Sequence, residues 1–535
     1  MKKNYSIITI VIILFCLTAA NHTTDAQNIQ TREELWNNNY FVGKRTDKSI
    51  HSSIFPYFIG NVSEYQPDSV FCGFADKLKR FTKIQADSNN NIFIEPLLDY
   101  AFGYSNNSYN NPLQSGLGLS YQHNISRKTA IRASLYSGYD IPDPSTAQIS
   151  DSLRIMPGFN NAGQAGKGYS FKDNVLYLSH ELSGLVRFTG GYGKSFFGDG
   201  YRSLFLSDRG ASYPFVKLET HLGNIKYVNL FTHFQTYNKA NIKGNSNSVG
   251  AFHYLSYNPF KRLNISFFEG IVMSNGEGEK TGFDINYLNP IIFYRPVDFN
   301  MSSPANMLFG IGITYKLNKG IIYTQLLIDD LNLPDLKADF QHLLNPDDPD
   351  IPWGHWFNKQ AFQLGLLFDE FANVKGLRFR LEVNMARPYT WSHRDAETSY
   401  SHQNQALAHP DGANFYEYLA HISYQKKAIT ADLFVRKLNQ GIDLPGYHMG
   451  ANIFQPTFDS YTGNNLPMRH YGNYIGQGLR KEVFFPSLRI AYQLCYPYRL
   501  AVFSELAYYC EKTKETNMQS PFFRIGITSR LFGLQ

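Results

Sequence analysis

The feature that most constrains this chain is a two-residue alternation repeated at strand length. Leu377, Phe379, Leu381, Val383 and Met385 alternate with Arg378, Arg380, Glu382 and Asn384. Successive side chains of a strand point to opposite faces, so this segment has one apolar and one charged face. The pattern returns at Ile429, Ala431, Leu433 and Val435 against Thr430, Asp432 and Arg436, and at Leu488, Ile490, Tyr492 and Leu494 against Arg489 and Gln493. It closes the chain at Phe523, Ile525, Ile527 and Leu531 against Arg524, Thr528 and Arg530. An antiparallel sheet in water with one solvated face reads the same way, so alternation alone leaves two answers.

Connection lengths separate them. From residue 91 onward there are roughly 18 candidate strands, most near the ~9 to 11 residues that cross a bilayer at a tilt. Short connections near 124–127, 182–184, 222–224, 258–261, 317–320, 371–375, 424–428 and 496–498 alternate with long ones at 140–173, 194–214, 272–306, 331–357, 387–412 and 440–484. Outer-membrane barrels sort their loops in this way, with tight periplasmic turns and long extracellular loops. The fold class expected is all-β: a transmembrane antiparallel β-barrel of about 18 strands, with long extracellular loops and a short N-terminal periplasmic segment. An even strand number places the N- and C-termini on the periplasmic side. Outer-membrane lipid and, during biogenesis, the barrel-assembly machinery are then its partners.

Composition agrees. The 42 Phe and 37 Tyr lift aromatics to 16%, and charged residues reach only 18%; Tyr and Trp suit interfacial girdles and Phe a lipid-facing band. A net charge of +6 without a concentrated basic block gives no nucleic-acid-binding surface. At the N-terminus, Lys2 and Lys3 precede an apolar run over 7–17, and Thr24-Asp25-Ala26 has the small residues of a cleavage site. The expected organisation is an export signal at 1–26, a periplasmic segment or plug at 27–90, and the barrel at 91–535. Of the four cysteines, Cys16 lies in the export signal, and the mature chain would keep Cys72, Cys495 and Cys510, an odd count, so no disulfide framework is expected. Cys495 and Cys510 fall on opposite faces of neighbouring strands, which leaves Cys72 with Cys495 as the one pairing within reach.

Charges of both signs occupy predicted lumen positions, among them Arg132, Arg378, Arg380, Glu382, Asp432, Arg436, Arg489, Glu505 and Arg524. They either line a water channel or pair across the interior, and the sequence leaves both open. Three loops stand out. The first, 193–209, is rich in glycine but lacks the spacing of a phosphate-cradling loop; it is expected to fold into the barrel mouth with Asp199, Arg202, Asp208 and Arg209 pairing internally. The second holds Trp353 and Trp356, and the third holds Tyr389, Trp391, His393, Arg394, His402 and His409. Sugar rings stack their C–H faces on aromatic side chains and hydrogen bond to Asp, Asn, Arg and His, so these loops suit a glycan platform. The histidine spacings match no compact zinc pattern. The acidic pairs Asp329–Asp330 and Asp369–Glu370 have the residue types of a glycosidase, but they sit at strand ends, where charge marks the membrane boundary. No enzyme activity, cofactor or metal is expected.

Several segments resemble the Wzi-type capsule-assembly proteins of the Gram-negative outer membrane and a related gliding-motility surface group (RemB-like). They are Gly198-Asp-Gly-Tyr-Arg-Ser-Leu-Phe-Leu-Ser-Asp208 with Tyr213-Pro214, then Tyr287-Leu-Asn-Pro-Ile-Ile-Phe-Tyr-Arg-Pro296. The third set comprises Leu381-Glu-Val-Asn384, Arg387-Pro-Tyr-Thr-Trp-Ser-His393 and Leu407-Ala-His-Pro-Asp-Gly-Ala-Asn-Phe415. The resemblance implies an 18-stranded barrel that acts as a lectin, attaching or assembling capsular or exopolysaccharide at the cell surface. Unlike the enteric members, this chain shows little helical periodicity before residue 91. The candidate glycan contacts are Arg202, Arg209, Trp353, Trp356, Tyr389, Trp391, His393 and Arg394. Two alternatives stand beside this expectation: a gliding-motility or adhesion component working with motility or capsule-export proteins, and a porin-like solute channel.

Overall fold

The computed structural model describes residues 28–32, 47–59, 83–87, 90–106, 111–236, 246–274, 305–330, 332–457, 468–495 and 500–529. The expected export signal, the 287–296 segment and Cys72 lie outside these residues. Alternation along the chain produces 18 antiparallel strands that close on themselves. They are β1 (Asn90–Ser105), β2 (Leu113–Asn124), β3 (Thr129–Ile141), β4 (Gly168–Ser183), β5 (Val186–Gly193) and β6 (Tyr213–Leu222). Next come β7 (Ile225–Thr236), β8 (Ser246–Phe260), β9 (Leu263–Ser274), β10 (Asn306–Lys316), β11 (Gly320–Asp330) and β12 (Lys359–Asp369). The last are β13 (Leu377–Ala386), β14 (Phe415–Lys426), β15 (Ile429–Ile442), β16 (Leu479–Cys495), β17 (Leu500–Lys512) and β18 (Asn517–Thr528). Each strand pairs with its neighbours in sequence, and β18 closes on β1 in a register running from Phe522 opposite Ser105 to Thr528 opposite Asp99. Closure leaves no unpaired edge, which a sheet in lipid requires.

The wall has the two faces the alternation predicts. Leu117, Leu135, Leu176, Ile311, Ile313, Leu326, Leu364, Leu381, Leu488, Ile490 and Ile525 are exposed on its outer side. Arg378, Arg380, Glu382, Glu417, Asp432 and Glu505 are buried on the inner side. Those inner charges pair: Arg378 lies 3.2 Å from Asp369, Arg524 2.7 Å from Glu505, and Arg436 2.7 Å from Glu417. Of the two readings of the lumen charges, this is the one in which they neutralise each other. Cys510 is free.

The strand order puts the short connections expected from the sequence at one end of the barrel, the end at which β1 begins and β18 finishes, with the 496–498 turn outside the described residues. The long connections fall at the other end, together with one tight turn between β17 and β18, where Thr513 N–H donates to the Thr516 carbonyl at 2.8 Å. Two long connections form helices. Helix α1 (Pro144–Leu153) starts with proline in its first turn, and Asp143 caps it by accepting the Ser145 N–H at 2.9 Å. Helix α2 (Leu333–Leu344) follows β11 with proline again in the first turn.

Candidate functional site

The loop joining β5 to β6 turns inward. Phe197 stacks on Tyr254 at 4.7 Å and Phe205 on Phe268 at 5.0 Å, both nearly parallel. The backbone N–H of Leu204 donates to Gln325 Oε1 at 2.8 Å, while the N–H groups of Tyr201 and Arg202 donate to Glu382 at 2.6 and 3.0 Å. Thr314 donates to Asp199 at 2.7 Å, and Arg202 lies 3.4 Å from Glu417. One loop thus bonds to β10, β11, β13 and β14. Gly198 sits at φ +140°, and a Cβ there would stand 2.4 Å from Gln325 Nε2, so the approach demands glycine.

From the opposite end the N-terminal residues meet this loop. Ile54 and Phe55 pair with Phe197 and Phe196 as a two-residue antiparallel ladder. Ser52 donates to Asp199 at 2.6 Å, His51 bonds Ser256 at 2.8 Å, and Asn258 donates to the carbonyls of Lys48 and Ile50. Arg32 binds the Asp208 carboxylate and stacks over the Phe196 ring at 3.9 Å. The expectation of internal pairing within this loop is thereby corrected: Asp199, Arg202 and Asp208 find partners on the wall and on the N-terminal residues, because the loop runs deep enough to reach them. Burial raises the Asp208 carboxyl, but the Arg32 and Arg209 guanidiniums outweigh it and hold the group below its ordinary range.

The long connection 387–414 covers this interior packing. Tyr400 donates its hydroxyl to the Phe205 carbonyl at 2.6 Å, and Ser207 N–H donates to the Leu407 carbonyl at 2.7 Å. His402 packs edge-on against Tyr213, accepts the Gln235 N–H on Nδ1 at 3.0 Å and donates from Nε2 to the Ser212 carbonyl at 3.1 Å. Burial lowers its pKa to about 4, so it is neutral near pH 7. Tyr389 and Trp391 are fully buried, each at φ +68°, a left-handed conformation that aromatic residues rarely adopt. Asp329 holds it by accepting the Trp391 N–H at 2.7 Å.

His393, His402 and His409 have separate partners: His393 bonds Thr398 at 2.6 Å and His409 bonds Glu417 at 2.8 Å. His409, Asp411 and Glu417 do bring three ligand atoms within 4.8 Å of one another. Arg436 binds both Asp411 and Glu417, and Arg202 reaches Glu417 as well. Two guanidiniums already neutralise the carboxylates, so the cluster works as an ion-pair lock.

Among the described residues, the second loop and its neighbours form a further cluster at this end of the barrel. Trp353 stacks on His342 of α2 at 4.5 Å, and His355 lies 4.9 Å from Tyr471 and 6.0 Å from Trp356. The backbones interlock: Trp356 N–H donates to the His470 carbonyl at 3.0 Å and Gly472 N–H to the Trp353 carbonyl at 2.7 Å. Lys359 lies 5.6 Å from the Trp356 ring and donates to the Ser392 carbonyl at 3.0 Å, which joins this surface to His393 and Arg394. Trp353, Trp356 and His393 are half-buried, and Arg394, Tyr471 and Tyr474 are exposed. Of the predicted contacts, the structure therefore brings Trp353, Trp356, His393 and Arg394 to one outer region. Arg202, Tyr389 and Trp391 are buried beneath it, and Arg209 is half-buried over Tyr201. Sequence reasoning missed His342, His355, Tyr471 and Tyr474; the aromatic richness of 471–474 was the available signal.

No family model matches the sequence, and no curated protein is similar to it. Among solved structures, Wzi of Escherichia coli is similar over 93% of this chain and 98% of its own, with a TM-score of 0.53 and 11% identity. It is described as an outer-membrane protein involved in group 1 capsule assembly and as a carbohydrate-binding β-barrel. Pseudomonas aeruginosa OccK8 and Acinetobacter baumannii OccAB2 each match over 82% of this chain and 97% of theirs, both with TM-scores of 0.43, at 10% and 9% identity. At such identities the likeness to Wzi speaks to architecture alone, and the architecture is that of an 18-stranded outer-membrane β-barrel.

Proposed function

We propose that this protein is a non-enzymatic outer-membrane barrel, exported by its N-terminal signal and with both termini in the periplasm, that attaches or assembles a capsular or exopolysaccharide through its outer loops. The observation that supports the reading is the pairing of Phe196–Phe197 with Ile54–Phe55 inside the barrel, which ties the inward loop to the N-terminal residues and leaves the outer loops as the surface we assign to binding. That surface offers Trp353, Trp356, Tyr471 and Tyr474 for stacking, with Arg394 and His393 beside them for hydroxyl or carboxylate groups. The likeness in fold to a carbohydrate-binding barrel supports the same reading.

The test is a deletion strain stained for surface polymer. The reading expects polymer lost from cells and recovered in the medium. Unchanged surface polymer with impaired surface spreading would replace it with the motility reading.

A further inference from the structure

Helix α2 carries an apolar arc that faces open solvent. Leu333, Leu336, Phe340, Leu343 and Leu344 are all exposed, Leu343 to 74%. At 3.6 residues per turn these five share one side of the helix. Asp335, Asp339 and His342 share another, and that side is pinned to the loops. Asp335 lies 3.2 Å from His355, Asp339 accepts the Gly354 N–H at 2.5 Å and stands 3.6 Å from Arg387, and His342 stacks on Trp353. The polar side therefore faces the protein, and the apolar arc faces away from it.

The height of the helix is fixed as well. Asn332, which precedes it, donates its N–H to Asn358 Oδ1 at 2.9 Å, and Asn358 Nδ2 reaches Asp339 at 3.4 Å. Asn358 immediately precedes β12 and Arg387 immediately follows β13, so α2 lies at the rim where those strands end. Just inside the rim, Phe362 and Met385 stand opposite one another in register on the outward face, and Leu364, Leu326 and Leu381 continue the same apolar belt.

We propose that α2 is an interfacial helix whose apolar arc enters the acyl-chain boundary of the outer leaflet and extends the lipid-facing belt past the strand ends. The occupant follows from continuity: the arc adjoins the belt at the rim, and Lys337 and Gln341 on its flank supply the polar edge such helices present to headgroups. The inference rests on the membrane-spanning part of the proposed function and is independent of the glycan.

The experiment uses the full barrel, with Cys72, Cys495 and Cys510 changed to serine, in phosphatidylcholine–phosphatidylglycerol vesicles. Bimane is attached in turn at Phe340→Cys, Leu343→Cys, Gln341→Cys and the belt position Leu364→Cys. The expected result is loss of fluorescence to brominated acyl chains at 340, 343 and 364, and loss to aqueous iodide at 341. Quenching of 364 by bromine with 340 and 343 quenched by iodide would overturn the helix proposal while leaving the barrel in the membrane. Iodide quenching at 364 as well would remove the membrane reading itself. Shielding of 340 and 343 from both quenchers would show that protein covers the arc, and would overturn the proposal too.

Discussion

The Arg32 guanidinium grips the Asp208 carboxylate with two nitrogens, Nη2 at 2.7 Å from Oδ1 and Nε at 3.0 Å from Oδ2. The same guanidinium also donates to the carbonyls of Gly200 and Tyr201 at 3.2 and 2.9 Å. It joins a segment near the start of the chain to a loop that enters from the opposite end of the barrel. Removing one partner of this partly buried, bidentate pair costs about 2 kcal/mol, because the other charge loses its charge-assisted hydrogen bonds. In planar bilayers the wild-type barrel is expected to give no steady conductance, and Arg32→Ala to give intermittent openings as the joint loosens. A steady open wild-type current would favour a channel.

The hydrogen bonds of His402 require one neutral tautomer, since Nδ1 accepts a backbone N–H and Nε2 donates to a carbonyl. A second proton on Nδ1 would face the Gln235 N–H. With its pKa lowered from 6.5 to about 4, His402 contributes stability that is fully present above pH 6.5 and falls away as pH drops through about 4. Asp208, held below 3.8, keeps its contribution until the pH falls further. Hydrogen exchange should therefore show residues 401–406, where Ser401 and His402 pair antiparallel with Ala406 and Gln405, losing protection before the segments joined by Arg32 and Asp208 as the protein is acidified. His402→Gln, which preserves a donor and an acceptor, should abolish the first step.

Trp391 and Trp353 should separate when each is changed to alanine. Trp391 is buried beneath the outer surface, and truncating such a side chain costs about 3 to 5 kcal/mol; its loss should lower the unfolding temperature and protease resistance of the loops. Trp353→Ala and Trp356→Ala should leave both unchanged and weaken polysaccharide binding. The reverse pattern would place the binding surface elsewhere.

Gly354 lies at φ +67°, and a Cβ there would stand 2.5 Å from the Asn473 nitrogen and 2.6 Å from its carbonyl oxygen. Gly354→Ala should therefore unlatch 353–357 from 468–473 and reduce polysaccharide binding without altering the barrel, a loss that proteolysis mapping of the two loops would locate.

The wall was legible because its signal is local. Alternation at Leu377–Met385 needs only nine consecutive residues, and tight turns such as that between β10 and β11 need a few polar ones, so strand count and loop parity follow directly from the chain. The interior was not. Arg32 and Asp208 stand 176 residues apart, and nothing near either one specifies the other. The third loop was misleading for a related reason. Tyr389 and Trp391 have the composition of a sugar platform, yet Asp329 on β11 and Gly450 after β15 hold their backbone in a buried, left-handed path. Helix α2 had a local signal, proline in its first turn, within a span that loop length alone marked as a connection.

The central claim is tested most directly by titrating the detergent-solubilised barrel with the polysaccharide purified from the same cells. Saturable binding to the wild-type protein, lost in Trp353→Ala/Trp356→Ala and retained in Arg32→Ala, is the predicted result. Absence of binding by a folded wild-type barrel, or equal binding by the tryptophan variant, would contradict it.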